Sequence, residues 1–398
     1  MISLRSFRPL AIGFGIALFQ LIVVLFVTGG KYAHLVQWDG NWYRDIAEFG
    51  YQVTLPLPHS AQGGSRIAFF PGFPIWVRLV GTIFHIPMSY AVNLAAELAA
   101  VGCWTYLILI LKRLHIADLL IVLLIVIFFS QPGAFYLVSA YSESLFTSAL
   151  LGFVYWTGRA LETSREEEPL RETRADFWKL PQIILAIGHG FVLTSTRYLG
   201  VFLAIYPLFF IAYAHRDVPA PLRRRKWTLA GTISLLALGG FASFLVYCQT
   251  AYGSWNLYWE ANRIGWSVQV EPKLFQLAFY TDVFFNGNLS EVLGRLITVF
   301  TLGGLLALYF KRFGGAISLL ALELICATII GSHGMHSMVR YLIPIHALAL
   351  PVLGVWFNSR TSLFRSPRFF SGMAAVLILL LAIQVMFAIR YSRTEWVS

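Results

Sequence analysis

Charge is what this 398-residue chain has least of. Asp, Glu, Lys and Arg make up only 12% of it, where a soluble domain carries roughly 25%. That excludes an ordinary water-soluble globule. Acidic residues are the scarcest, 19 against 30 basic ones, for a net charge of +11. Cysteine is nearly absent. Cys103, Cys248 and Cys326 are an odd, scattered set inside apolar runs, so neither a disulfide framework nor a cysteine-built zinc site is implied. The chain has no Asp-x-Asp, the pair through which enzymes that use nucleotide-diphosphate sugars often hold a metal. It also has no G-x-x-x-x-G-K phosphate loop, which argues against an ATP-driven pump. Internal repeats and low-complexity tracts are missing as well.

What the chain has is long apolar stretches, with 58% hydrophobic residues overall. About 18 apolar residues suffice to cross the hydrocarbon core of a bilayer as a helix. Hydropathy predicts about 11 spans, near 9–27, 90–111, 117–137, 143–158, 182–196, 199–214, 227–250, 292–310, 314–332, 339–357 and 369–389. The stretch 182–214 reads either as two short helices around Arg197 or as one long tilted helix. The expected fold class is therefore all-α, a polytopic membrane bundle forming one multi-pass domain over residues 1–398. The first run follows Arg5 and Arg8 and lacks a small-residue cleavage site, so it reads as a retained span.

The basic residues sit in short clusters between apolar runs, such as Arg223, Arg224, Arg225 and Lys226. That placement suits cytoplasmic loops and not nucleic acid. With the N-terminus inside, the short cytoplasmic segments hold about 19 of the 30 Lys and Arg residues. Two long segments, about 28–89 and 251–291, then lie outside. Both are rich in Trp, Tyr and Phe, which favour the membrane interface.

Residues 38–51 of the first outer segment read WDGNWYRDIAEFGY. On a helix, Trp38, Trp42, Ile46 and Phe49 form one apolar stripe, and Arg44 and Glu48 are i,i+4 partners. A short helix lying in the interface is expected. Asp39 opens it, either as an N-cap or as a carboxylate that takes a proton from a substrate hydroxyl. Next comes AFFPGFPIW, where Pro71, Gly72 and Pro74 predict an aromatic turn, and with it the wall of a lipid or sugar pocket. Trp38, Tyr43 and Phe70 are the pocket candidates here.

The topology brings further ionisable residues to the same side. Glu143, near a span start, reads as a solvated cap, as an arginine partner or as a binder of sugar hydroxyls. Arg197 and Arg340 read as snorkelling anchors or as a clamp on a donor phosphate, for which the guanidinium fork is well matched. Tyr341, His333 and His336 lie close by in sequence. The two histidines are three apart without a clear carboxylate partner, and Gly334 between them favours a loop, so no metal site is expected.

The stretches WD–IA–GY (from Trp38 to Tyr51) and AFFPGFP, with YSESLF (Tyr141 to Phe146), TSTRYLG (Thr194 to Gly200) and MVRYLIP (Met338 to Pro344), resemble the PIG-V family. These are the mannosyltransferases that add the second mannose to glycosylphosphatidylinositol precursors, together with bacterial relatives. The pieces occur in family order over most of the chain. Where eukaryotic members have Arg-Ser-Asn-Gly, this sequence has Arg197, Tyr198, Leu199 and Gly200, so acceptor identity does not carry over. The resemblance implies a GT-C-type transferase that uses a polyprenyl-phosphate sugar, with the catalytic acidic residue of the first outer loop at Asp39.

The expected function is thus transfer of a sugar from a polyprenyl-phosphate donor to a lipid, glycan or protein acceptor. The active site would face out from a bacterial-type inner membrane, without a cofactor. The alternative class is a transporter or lipid flippase, which would place charges near the midplane and show repeated halves.

Overall fold

The computed structural model describes residues 4–55, 57, 65–162, 179–214, 220–266, 276, 278, 281, 289–331, 335, 337–360, 366–395 and 397. Every regular element among them is helical. In chain order the α-helices are α1 (Leu4–Val27), α2 (Asp39–Phe49), α3 (Gly72–Phe84), α4 (Met88–Arg113), α5 (Asp118–Ser130) and α6 (Glu143–Leu161). Then follow α7 (Leu180–Thr196), α8 (Gly200–Leu203), α9 (Tyr206–Ala214), α10 (Ala220–Ala237), α11 (Gly239–Tyr252) and α12 (Leu257–Trp266). The last four are α13 (Leu289–Phe310), α14 (Gly315–Gly331), α15 (Met338–Asn358) and α16 (Pro367–Ser392).

Among the described residues, six helical segments are long and apolar enough to cross a membrane: Arg8–Val27, Met88–Arg113, Pro221–Tyr252, Glu291–Phe310, Met338–Asn358 and Pro367–Ser392. Five more apolar helices are shorter: Gly72–Phe84, Asp118–Ser130, Leu180–Thr196, Gly200–Ala214 and Gly315–Ile330. Outward rows such as Phe14, Phe19, Ile22 and Phe26 on α1, or Val376, Ile378 and Leu379 on α16, are exposed. Large apolar side chains arrayed this way need lipid around them. The chain is an integral multi-pass membrane protein.

The core forms where α1, α4, α6 and α7 pack side by side. One face of α4 is built from Ala91, Ala95, Ala96, Ala99, Ala100 and Cys103, all buried. Small side chains let helix backbones approach closely, which is how helices associate in lipid. Trp104 fills the centre, with its indole N–H donating to Gln20 Oε1 at 3.2 Å.

Two sequence expectations change and two are refined. The stretch around Pro71 and Pro74 is not merely a turn, because α3 starts there and runs for 13 residues. Proline is harmless in a first turn, whose N–H groups have no helical acceptor. The expected span 117–137 stops at Ser130, since Pro132 follows, and resumes as a 3₁₀ turn over Ala134–Val138. The expected span 227–250 lies within the segment Pro221–Tyr252, with its helical hydrogen bonding interrupted at Leu238. There Thr194 of α7 intrudes, its hydroxyl donating to Ala237 O at 2.6 Å and accepting from Phe241 N at 3.3 Å, and so replaces helical bonds. The 182–214 stretch takes the broken form, with Arg197 extended between α7 and α8.

The described parts of the two long aromatic segments touch each other. Asn262 of α12 donates to Ala68 O at 3.3 Å, and the Tyr252 hydroxyl donates to Tyr51 O. They therefore share one end of the bundle, which also holds the starts of α2 and α6, the end of α7 and the start of α15.

Candidate active site

Four charged side chains from four distant segments meet at that end. Asp39 is the first residue of α2 and Glu143 the first of α6. Arg197 sits in the extended break after α7, and Arg340 lies in the first turn of α15. Two glycines let these segments close up. A Cβ on Gly40 would come within 2.9 Å of Ala140 O, and one on Gly133 within 2.3 Å of Val339 O. Side chains there would push Asp39 away from the segment leading to Glu143, and Arg340 away from both.

The four charges form one chain. Arg340 Nη1 donates to Asp39 Oδ2. Arg197 Nη1 donates to Glu143 Oε1 at 2.8 Å. Arg340 Nε lies 3.1 Å from the same oxygen, but its hydrogen is not aimed there, so Arg340 Nε makes no hydrogen bond and that contact is electrostatic. Two guanidinium groups thus balance two carboxylates, which is what lets them sit in a poorly solvated place. The ring of Tyr341 lies 4.8 Å from the Arg197 guanidinium and 5.0 Å from that of Arg340, with Tyr141 5.0 Å from Arg340 on another side. Aromatic faces suit weakly hydrated guanidinium ions. Exposure rises from 0% at Glu143 through 8% at Arg340 and 13% at Arg197 to 18% at Asp39. Of the two carboxylates, only Asp39 is open to an incoming molecule.

Asp39 is not the helix cap that its position allowed. The capping position falls on Trp38, which makes no side-chain cap bond and holds a positive φ of 47°. Arg44 pairs with its neighbour Asp45 at 2.8 Å, and not with Glu48. The buried face of α2 is Gly40, Tyr43, Ile46 and Ala47, so Trp38 and Phe49 of the expected stripe stay largely exposed. Trp38 stands beside Asp39 with 40% of its surface open. Tyr43 is buried behind the charges, edge-on to Phe69 and Phe73, with its hydroxyl 2.9 Å from Ser142 Oγ. Burial holds its phenol well above the usual range, so it stays neutral.

Phe70 does not join the charges. It packs in a neighbouring aromatic cluster, edge-on to Tyr258 at 4.7 Å and tilted against Phe244 at 4.8 Å. Tyr258 connects the two regions. Burial raises its phenol, and the positive charge of Arg197 opposes that. His333 and His336 lie outside the described residues. Among the described residues no three His, Cys, Asp or Glu side chains gather as metal ligands would.

Sequence reading assigned no role to Tyr141, Ser142 or Tyr258. Tyr141 and Ser142 lie within the YSES motif, and Tyr258 within the aromatic run WNLYWE, so all three had a signal. A cavity of about 410 Å³ lies away from this cluster. It is at the other end of α6, lined by Glu162, Lys179, Arg225 and Lys226 among apolar side chains. The charge chain is the candidate active site.

No protein-family model and no curated protein matches the sequence. Solved structures do. The archaeal oligosaccharyltransferase AglB from Archaeoglobus fulgidus, in complex with an inhibitory peptide and a dolichol-phosphate, superposes with a TM-score of 0.56 at 12% identity, covering 96% of this chain and 56% of that one. ArnT from Cupriavidus metallidurans, bound to undecaprenyl phosphate, superposes with a TM-score of 0.55 at 12% identity, covering 96% of this chain and 64% of that one. This chain spans only about half the length of the oligosaccharyltransferases it matches. It has the GT-C fold of membrane glycosyltransferases.

Proposed function

We propose that this protein is a polyprenyl-phosphate-dependent glycosyltransferase. The carrying observation is the convergence of Asp39, Glu143, Arg197 and Arg340 at one end of a GT-C bundle, with Asp39 the most open of the four. Two structural neighbours were solved with dolichol-phosphate or undecaprenyl phosphate, which supports a lipid-phosphate donor.

In the proposed reaction, Asp39 accepts the proton of an acceptor hydroxyl. The acceptor oxygen forms a bond to the anomeric carbon from the face opposite the lipid phosphate. The bond from that carbon to the phosphate oxygen breaks, inverting the anomer and releasing polyprenyl phosphate. Negative charge grows on the leaving phosphate, and the forks of Arg197 and Arg340 neutralise it. The donor's own phosphoester supplies the driving force, so no cofactor enters. The resemblance to the PIG-V family makes mannose the sugar to try first. A glycolipid, another glycan or a protein supplies the hydroxyl.

The charge distribution argues for a site facing out of a bacterial-type inner membrane. Leu55→Cys, at an exposed position near α2, is expected to label from outside in intact cells, and Arg224→Cys only after permeabilisation. The direct test incubates purified protein with a synthetic polyprenyl-phosphate mannose and, separately, with a nucleotide-diphosphate mannose. Release of polyprenyl phosphate from the first donor alone is expected. Transfer from the nucleotide sugar alone would defeat the proposal.

A further inference from the structure

Tyr391 lies at the last turn of α16, some 350 positions from Asp39 in sequence, yet it touches the segment that presents that carboxylate. Its hydroxyl donates to Leu35 O at 3.0 Å and accepts from Gln37 N at 3.2 Å. One phenol therefore grips the backbone on both sides of Val36, three residues before Asp39. Leu35 O also accepts from Ala140 N at 3.1 Å, which ties the same point to the segment leading to Glu143.

The ring is nearly inaccessible, at 1% exposed. It packs 5.5 Å from Phe135, 5.5 Å from Tyr136 and 5.8 Å from Tyr141. Tyr141 in turn faces the Arg340 guanidinium. Immediately after the gripped segment, Trp38 is held at a φ of 47°, a conformation that a bulky side chain keeps only when its surroundings impose it. The anchored backbone lies directly before it and the α2 helix directly after it.

We infer that Tyr391 is a positioning residue for Asp39: its hydroxyl fixes the Leu35–Gln37 backbone so that the strained Trp38 turn delivers the Asp39 carboxylate to Arg340 and the acceptor. The inference rests on the proposed role of Asp39 as base.

The test uses the full-length protein in nanodiscs. Tyr391→Phe keeps the packed ring and deletes both hydrogen bonds. Amide hydrogen exchange over residues 33–40 needs no substrate and reads the anchor directly. About tenfold faster exchange there is expected, with other segments and the melting temperature unchanged. With the polyprenyl-phosphate donor, kcat is expected to fall about tenfold while the donor KM stays within about twofold, because positioning affects the transition state and not donor binding. In the Asp39→Asn background, Tyr391→Phe should add nothing further. Unchanged exchange at 33–40 overturns the inference whatever the activity. Faster exchange with wild-type kcat overturns it too, as does a loss that multiplies fully with that of Asp39→Asn. Failure of the functional reading shows separately, as normal transfer by Asp39→Asn alone.

Discussion

The two ends of α6 use the same kinds of residue in different ways. At its start, Glu143 is wholly buried between two arginines that also lie against aromatic rings, and the outermost group is a carboxylate. At its finish, cations hold the helix terminus. Lys226 Nζ donates to Leu161 O at 2.9 Å, Lys179 Nζ donates to Glu162 O at 3.0 Å, and Arg113 pairs with Glu162 at 2.6 Å. Positive groups on terminal carbonyls complement the helix dipole and need no other purpose. At the first end the charges serve each other and leave one acid open. At the second, two lysines serve the backbone and Arg113 pairs with one exposed acid. The comparison separates a site from a scaffold more sharply than charge density does.

The largest change should follow from removing an arginine. Arg340 contacts Asp39, Glu143, Tyr141 and Tyr341 at once. Arg340→Ala is expected to lose transfer below detection, and Arg197→Ala to reduce it strongly. Arg340→Lys should recover only part, because a point charge cannot reproduce a fork. Donor turnover by purified variants checks this, and normal rates in both alanine variants would reduce the pair to anchors.

Glu143→Gln comes next. It leaves two buried guanidinium groups short of one negative charge, a change that costs about 3–5 kcal/mol. A clearly lowered melting temperature with weakened transfer is expected, whereas an unaltered melting curve would mean that the carboxylate is more solvated than the geometry has it.

The smallest effect is expected at the other end. Lys226→Met removes a charged donor from a helix carbonyl, a bond worth about 1.5–3 kcal/mol, and should leave kcat untouched. A selective loss of kcat there would erase the distinction between the two ends.

Much of this arrangement was legible in the sequence because it follows from hydropathy and charge. Apolar runs put Asp39, Glu143, Arg197 and Arg340 on one side, and the structure brings them into contact. Local rules failed where tertiary contacts decide. Nothing in the run 227–250 announces that Thr194 will interrupt its hydrogen bonding at Leu238. An i,i+4 rule offered Glu48 to Arg44, but Asp45 lies nearer and is also 3.7 Å from Arg66. Reading Pro71 and Pro74 as helix breakers ignored that a helix can begin on them. Tyr391 had no signal at all, since its partners are backbone atoms at the other end of the chain.

Asp39, the more open of the two carboxylates in the charge cluster, is proposed to be the base. The direct measurement is sugar transfer by Asp39→Asn from a synthetic polyprenyl-phosphate donor, beside Asp45→Asn as a control six residues along the same helix. The Asn side chain keeps the size of Asp39 and can still accept from Arg340, but it cannot take up a proton at neutral pH. Transfer should fall by a factor on the order of 10² or more, with the melting temperature close to wild type and Asp45→Asn only mildly affected. Near-normal transfer by Asp39→Asn would contradict the account and make Asp39 no more than the partner of Arg340.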